Sequence, residues 1–393
     1  MQDSVPERRV NAFWRDERFL RVAGQIIFAA LLIGFFVFLA VNMLGNLNQQ
    51  GMNLSFGFID QVAGFDIGAS FIQFDRTGTY IRAFLVGLIN TLVVSFLGIL
   101  FATILGILIG VARLSQNFLV NRLSRIYIEI LRNIPLLVLL VFLYRAVFLK
   151  LPRVANALIF PGPIYLSNRG IAMPWFIPTV TFGTYLLVMS AGFVLALLVG
   201  WFVRRQGRQT GRPTLWPVYS LLIWLAVALI GWFLLPHAPL QADVPQPGGL
   251  NLKGGLVLTP EFMALLAGLT VYTSAFIAEI VRAGIQSVSK GQVEASHALG
   301  LSSFQTLRLV VFPQALRVIV PPLTSQYLNL TKNSSLAVAI AYPDVFYVSN
   351  TILNQTGRAV EMIAIVMLTY LLLSLLTAMF MNWYNQRIRL VER

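Results

Sequence analysis

The stretch VEASHALGLSSFQTLRLVVFPQAL, residues 293–316, is a mildly polar interruption in a chain that is otherwise strongly apolar. It carries Glu294 and lies between two long hydrophobic segments. Ser302 and Gln305 have the spacing of a capping box, in which the two side chains satisfy the first amides of a helix. Gly300 follows the first part of the stretch, and glycine is favoured just past the end of a helix. The stretch therefore predicts two short helices that meet at Gly300.

The composition of the whole chain indicates an integral membrane protein. Of its 393 residues, 57% are hydrophobic and only 11% are charged, whereas a soluble domain carries about 25% charged residues. The apolar runs are continuous, as transmembrane helices require, and do not alternate as barrel strands do. The predicted class is an all-α membrane protein with about eight spans, at roughly 22–44, 83–112, 125–149, 177–203, 216–235, 260–283, 314–334 and 360–384.

The basic residues give the orientation. With a cytoplasmic N-terminus, about 20 of the 29 Lys and Arg lie inside and about seven outside. Both termini are then cytoplasmic, and topology accounts for the net charge of +14 without nucleic acid. The run at 22–44 is expected to remain as a span and not to be cleaved. The chain has no cysteine, which excludes disulfides and thiolate metal sites.

The two short helices are predicted to lie at the cytoplasmic surface. A second capping box, Ser289 with Gln292, would begin the first of them at about Lys290. About ten residues are too few to cross a bilayer, and this segment is too polar to do so. An ordinary interfacial helix that covers the bundle fits these facts as well as a helix with a partner.

The stretch resembles the E-A-A—G signature of ABC importer permeases. Its third signature position is a serine instead of an alanine, which exchanges one small residue for another. In that family the segment is the coupling helix, which docks on a separate ATP-binding subunit. The resemblance implies a coupling helix at 290–301 and ATPase-docking residues Glu294, Ala295, Ser296, Leu299, Gly300 and Pro313.

Four other segments are similar to permeases of the polar amino acid uptake family. They are GLINTLVVS (87–95), YIEILRNIPLLVLL (127–140), AFIAEIVRAGIQSV (275–288) and PPLTSQYLNLTKNSSLA (321–337). The enlarged layout is most similar to the general L-amino acid permeases of the Aap and Bzt type. The resemblance implies a type I ABC importer-like core with an inserted pair of helices. The expected divisions are 1–81 (N-terminal tail, first span and periplasmic loop), 82–150 (first part of the core), 151–258 (insert) and 259–393 (second part of the core).

The function implied by the resemblance is that of a non-catalytic permease subunit in the bacterial inner membrane. It would carry L-amino acids by alternating access, with two ATP-binding subunits, a periplasmic binding protein and a homologous second permease as a heterodimer. None of the four lysines stands in a Gly-Lys-Ser/Thr sequence, so a standard phosphate-binding loop is excluded and ATP and Mg belong to a partner chain. An ion-gradient-driven secondary transporter or channel is the alternative. A membrane enzyme acting on lipids is disfavoured, because clustered His/Asp and metal-ligand motifs are missing.

Polar residues that crowd the end of one span are candidates for a substrate path. Amides at helical spacing and Lys332 suit the ammonium and carboxylate of an amino acid. The alternative is that Lys332 reaches the outer surface and the amides bond between helices. The candidate set is Gln326, Asn329, Lys332, Asn333, Ser334 and Ser335, with Asn90, Thr91 and Ser95 as weaker candidates on another helix.

Two pairs of opposite charge are predicted near the cytoplasmic ends of spans. Glu129 with Arg132 and Glu279 with Arg282 are each three residues apart, so each pair shares one helix face. They are candidates for a cytoplasmic gate. The alternative is that they are interfacial ion pairs that anchor the helix ends.

Overall fold

The structure is a computed structural model that describes residues 17–49, 54–211, 214–249 and 251–388. Residues 1–16 of the predicted N-terminal tail lie outside this part of the chain. The helices in the described ranges are α1 (Glu17–Gln49), α2 (Tyr80–Ala112), α3 (Phe118–Asn133), α4 (Leu136–Phe142), α5 (Phe182–Thr210), α6 (Trp216–Leu234), α7 (Pro260–Gln286), α8 (Lys290–Ala298), α9 (Ser303–Thr306), α10 (Phe312–Asn333), α11 (Val345–Thr356) and α12 (Ala359–Ile388).

Seven helical runs among the described residues are long and apolar enough to cross a membrane, which confirms the predicted helical class. The span predicted at 125–149 is not one continuous helix. The chain breaks there between α3 and α4, and the two parts are bent by 104°. A residue before proline is pushed out of the helical region, and Ile134 before Pro135 is extended, with φ −97° and ψ 130°. The spans number eight if the bent pair crosses once.

The core of the bundle is built on the contact between α2 and α7. Two glycines of α2 allow the helix backbones to approach. A Cβ on Gly106 would lie 2.6 Å from the Cβ of Ile277, and one on Gly110 would lie 2.7 Å from the carbonyl oxygen of Ala278. Ile277 is fully buried at this contact. α10 packs against α7, and α12 packs against α10.

Short strands form small antiparallel sheets between the spans. They are β1 (Leu158–Phe160), β2 (Ile164–Ser167), β3 (Gly170–Met173), β4 (Trp175–Pro178), β5 (Leu240–Asp243), β6 (Gln246–Gly248), β7 (Asn251–Lys253) and β8 (Leu256–Leu258). The sheets are β1-β2-β3-β8, β4-β5 and β6-β7. The segment between α6 and α7 thus holds four short strands, β5 to β8. β6 and β7 pair with each other, whereas β5 and β8 pair with the distant strands β4 and β3.

α5 and α6 form a helical hairpin. Gly192 of α5 faces Val227 of α6, where an added Cβ would lie 2.5 Å from the nearest methyl carbon. The ends of the hairpin are adjacent, since the amide of Thr179 donates to the carbonyl of Pro239 at 3.0 Å. In the described chain α5 and α6 pack extensively on each other and on no other helix. The hairpin is therefore a separate element attached beside the core.

Candidate functional site

The turn between α8 and α9 has a fixed geometry. Gly300 has φ +79°, a conformation that only glycine adopts at little cost. The amide of Leu301 donates to the carbonyl of Ser296, and the amide of Gly300 donates to that of His297. This pair of bonds is a Schellman motif. The prediction of two short helices that meet at Gly300 is confirmed in this arrangement.

The two capping boxes predicted beside this turn have different outcomes. At α9 the box is present, because the Ser302 hydroxyl accepts from the Gln305 amide at 3.3 Å and the Gln305 side chain accepts from the Ser302 amide at 2.9 Å. The capping box predicted at α8 is wrong. Ser289 is the N-cap residue with an extended backbone, but its hydroxyl forms no capping hydrogen bond. The amide of Gln292 donates instead to the Ser289 carbonyl.

Most of the predicted docking residues are on the surface of the α8–α9 turn. Glu294, Ala295 and Gly300 are exposed, and Leu299 is 82% exposed. Phe304, which the motif did not indicate, is 70% exposed beside them. This exposed leucine and phenylalanine form an apolar surface on a polar segment. Such a surface on a cytoplasmic segment is typical of a protein contact.

Ser296 differs from the other predicted docking residues because it is buried. Its hydroxyl donates to the carbonyl of Val293 at 2.7 Å and is hydrogen-bonded to the hydroxyl of Thr306 at 3.0 Å. The serine at this signature position therefore ties α8 to α9 from beneath. Pro313 lies apart from the turn, exposed in the first turn of α10.

The turn continues directly into a membrane span. After α9 a wider π-helical turn, Leu307–Val311, leads into α10, and a tighter helical segment, Ser334–Ile340, follows it. Together they form one helical run over Ser303–Ile340. The α8–α9 turn is thereby joined to α10 without a loop.

α10 presents a polar face that is not covered by the rest of the chain. Ser325, Asn329 and Lys332 are exposed at helical spacing, with Gln326 and Asn333 partly exposed beside them. Within residues 17–49, 54–211, 214–249 and 251–388 these five side chains form no hydrogen bond or ion pair. Polar groups inside a membrane face a cavity or a partner, because contact with lipid is costly. This face therefore lies against water or another protein.

The two serines at the end of α10 do not belong to this free face. The Ser334 hydroxyl is buried and donates to the carbonyl of Thr331, and the Ser335 hydroxyl donates to that of Lys332. Both bonds close the last turn of the helix.

The candidates on α2 lie in a different, closed environment. The Asn90 amide donates to the carbonyls of Ala69 and Pro343 at 2.8 and 2.9 Å. The Thr91 hydroxyl accepts from the amide of Val345 at 3.0 Å. Ser95 is 5% exposed. The structure thus places these residues where α2 joins the chain reversal before α11, and not on the exposed face of α10.

One of the two predicted ion pairs is present. Arg282 binds Glu279 through two N–H groups. The Glu129–Arg132 pair is wrong, because Glu129 binds Arg125, four residues earlier, at 2.6 Å. Arg132, at the end of α3, instead stacks over the Phe276 ring of α7 at 5.4 Å. The break after α3 turns this arginine toward α7.

Comparison with known proteins identifies relatives along nearly the whole chain. Residues 102–390 match the family described as binding-protein-dependent transport system inner membrane component. The chain is 46% identical to the General L-amino acid transport system permease protein AapQ of Rhizobium johnstonii, over 96% of this chain and 94% of the relative. It is 48% identical to the Putative amino-acid ABC transporter permease protein YhdX of Escherichia coli, over 94% of each. It is 40% identical to the Glutamate/glutamine/aspartate/asparagine transport system permease protein BztB of Rhodobacter capsulatus, over 98% and 97%.

Proposed function

The chain belongs to the family of binding-protein-dependent transport system inner membrane components, and from that membership we propose that it imports L-amino acids by alternating access. As a multi-pass permease subunit it is not itself catalytic. Separate ATPase subunits drive the cycle, and an external binding protein delivers the substrate. The names of the relatives, which specify amino acids, support this substrate class.

The observation that carries the proposal is the connection between two exposed surfaces. The α8–α9 turn, with Glu294 and Leu299, suits a protein partner in the cytoplasm. The polar face of α10 suits a hydrated substrate path. One helical run, Ser303–Ile340, joins them. Binding and hydrolysis of ATP on a partner docked at the turn would then move the wall of the path.

The chemistry of the α10 face suits an amino acid. Lys332 offers a positive charge to a carboxylate, and the amide oxygens of Gln326, Asn329 and Asn333 can accept from an ammonium group. Because all four side chains lack partners in the described chain, a second permease subunit is needed to close the path on its other side. In this arrangement Glu279 and Arg282 lie at the cytoplasmic end of α7, where they would form part of the inner gate.

The path is tested with the assembled transporter in vesicles, by uptake of a labelled amino acid. Lys332→Met should lower uptake about tenfold or more, since a hydrogen bond to a charged group contributes about 1.5–3 kcal/mol. Lys253→Met removes an exposed lysine from β7 and should leave uptake unchanged. Equal uptake by the two variants would remove Lys332 from the path.

The docking surface is tested in the same vesicles by measuring ATP hydrolysis together with uptake. Glu294→Lys should abolish ATP-driven uptake or the binding of the ATPase subunits, because it reverses a charge at the contact. Asp60→Lys makes the same change at an exposed site outside the turn and should have no effect. Uptake that persists without ATP and without the ATPase would contradict the proposal and indicate an ion-gradient-driven carrier or channel.

A further inference from the structure

The inserted hairpin carries an unbalanced positive charge. Residues 130–242 contain nine Lys and Arg and not one Asp or Glu. Arg204, Arg205 and Arg208 are clustered at one end of α5, all exposed. In the described residues none of the three has a carboxylate partner. Three exposed guanidinium groups without a carboxylate partner in the described chain form a cluster that suits anions.

The length of the helices places this cluster at the membrane surface. α6 has 19 residues and rises about 28 Å, close to the thickness of the hydrocarbon core. The segment of α5 from Phe182 to Phe202 carries no charge and rises about 30 Å. The arginines follow immediately, so they stand where lipid headgroups begin. By the charge distribution this is the cytoplasmic leaflet.

Two tryptophans hold the arginines in position. The guanidinium of Arg204 lies over the ring of Trp216 at 5.3 Å, and that of Arg205 lies over the ring of Trp201 at 5.4 Å. At Gly200 an added Cβ would clash with the Ser220 hydroxyl of α6 and would touch the Trp216 ring at 3.4 Å. A stacked guanidinium keeps the N–H groups along its edge available. Such an edge binds phosphate oxygens in a bidentate geometry.

We propose that Arg204, Arg205 and Arg208, with Trp201 and Trp216, form a binding site for the phosphate headgroup of an anionic phospholipid of the inner leaflet. Tryptophan prefers the membrane interface, and arginine is attracted to the phosphates of anionic headgroups just outside it. The site anchors the hairpin to the bilayer. In the described chain the hairpin lacks extensive packing against other helices, so this anchor takes the place of such packing.

The test measures lipid binding to the full-length protein in neutral detergent by native mass spectrometry. Dioleoylphosphatidylglycerol and dioleoylphosphatidylcholine are titrated in parallel, because they share their acyl chains. We expect the wild type to prefer the anionic lipid at least tenfold. The triple variant Arg204→Gln, Arg205→Gln, Arg208→Gln should lose about a hundredfold in affinity for it, since each arginine contributes about fivefold near an anionic surface.

A matched variant separates a specific site from general charge. Lys150→Gln, Arg153→Gln and Arg169→Gln remove three exposed cations from the same acid-free region, away from the hairpin end. This variant should keep the preference for phosphatidylglycerol, and equal losses in both triple variants would overturn the site. Arg204→Lys, Arg205→Lys, Arg208→Lys should retain part of the affinity.

Competition distinguishes a lipid from a free phosphate ester. Glycerol 3-phosphate carries the same phosphate chemistry without acyl chains, and it should not displace the lipid at equal concentration. Displacement at equal concentration would show that the site takes a soluble anion and would overturn the lipid assignment. Equal binding of the two lipids by the wild type would also overturn it.

Discussion

Gly300 is the residue on which the proposed docking surface depends. Its positive φ allows α8 to end and the chain to turn into α9 within the four residues 299–302. Ser296 then joins the two helices from the buried side through Thr306. Glu294 and Leu299, both exposed, are held in one arrangement by Gly300 and by the buried Ser296.

Two glycines near this turn give opposite predictions. Gly300→Ala forces a side chain into the left-handed region and should destabilise the turn by about 1–2 kcal/mol. Gly291→Ala lies inside α8 with open space around it and should stabilise the helix by up to about 1 kcal/mol. Hydrogen exchange of residues 290–306 measures both. Shifts in the same direction would contradict the role of the positive φ.

At the scale of elements, the bundle depends on the close approach of α2 and α7. Alanine differs from glycine by one carbon atom. At Gly110 that carbon would clash with the Ala278 carbonyl oxygen and with the Val281 side chain. Backbone atoms do not move aside as a flexible side chain does. The absence of a side chain at Gly106 and Gly110 therefore sets how closely α2 and α7 approach.

The prediction at this contact is a loss of stability from the smallest possible substitution. Gly110→Ala should destabilise the fold by about 1–3 kcal/mol, the usual cost of overpacking. Gly34→Ala in α1, with open space around it, is the matched control and should be neutral. Thermal inactivation in detergent at one scan rate compares them. Identical midpoints would show that α2 and α7 can separate without cost.

The elements show which features local sequence predicts. The α9 capping box, the Gly300 turn and the Glu279–Arg282 pair depend on residues within four positions of each other, and all were predictable. The break at Ile134 also had a local signal, Pro135, that a continuous apolar run concealed. By contrast, Asn90 binds a carbonyl that lies 253 residues away. Strands β3 and β8, and likewise β4 and β5, pair across more than 60 residues, so no local pattern reveals these two pairings.

At the scale of the whole molecule, the inserted hairpin and the core are nearly independent. The hairpin leaves the core between Thr179 and Pro239, whose backbone atoms are hydrogen-bonded. The β4–β5 ribbon joins its two ends. We therefore expect the core to fold without α5 and α6.

Removal of the hairpin tests this independence. Replacing residues 180–238 by Asn-Gly, which suits a two-residue turn between antiparallel strands, should leave a monodisperse protein with unchanged hydrogen exchange in α2, α7 and α10. Deleting 155–255 instead removes β3, the partner of β8, and should destabilise the core. If both deletions aggregate alike, the hairpin is part of the folding unit.

In the proposed transport cycle, the helical run that begins at Ser303 would amplify a small tilt at its cytoplasmic end. From Ser303 to Lys332 it rises about 45 Å. A tilt of about 5° at the inner end would shift Lys332 sideways by about 4 Å, comparable to the width of a carboxylate. Pro321 and Pro322 interrupt the backbone bonds near its middle and provide one compliant point. The stiffness of the helix at these two prolines would thus determine what fraction of a displacement at Ser303 reaches Lys332.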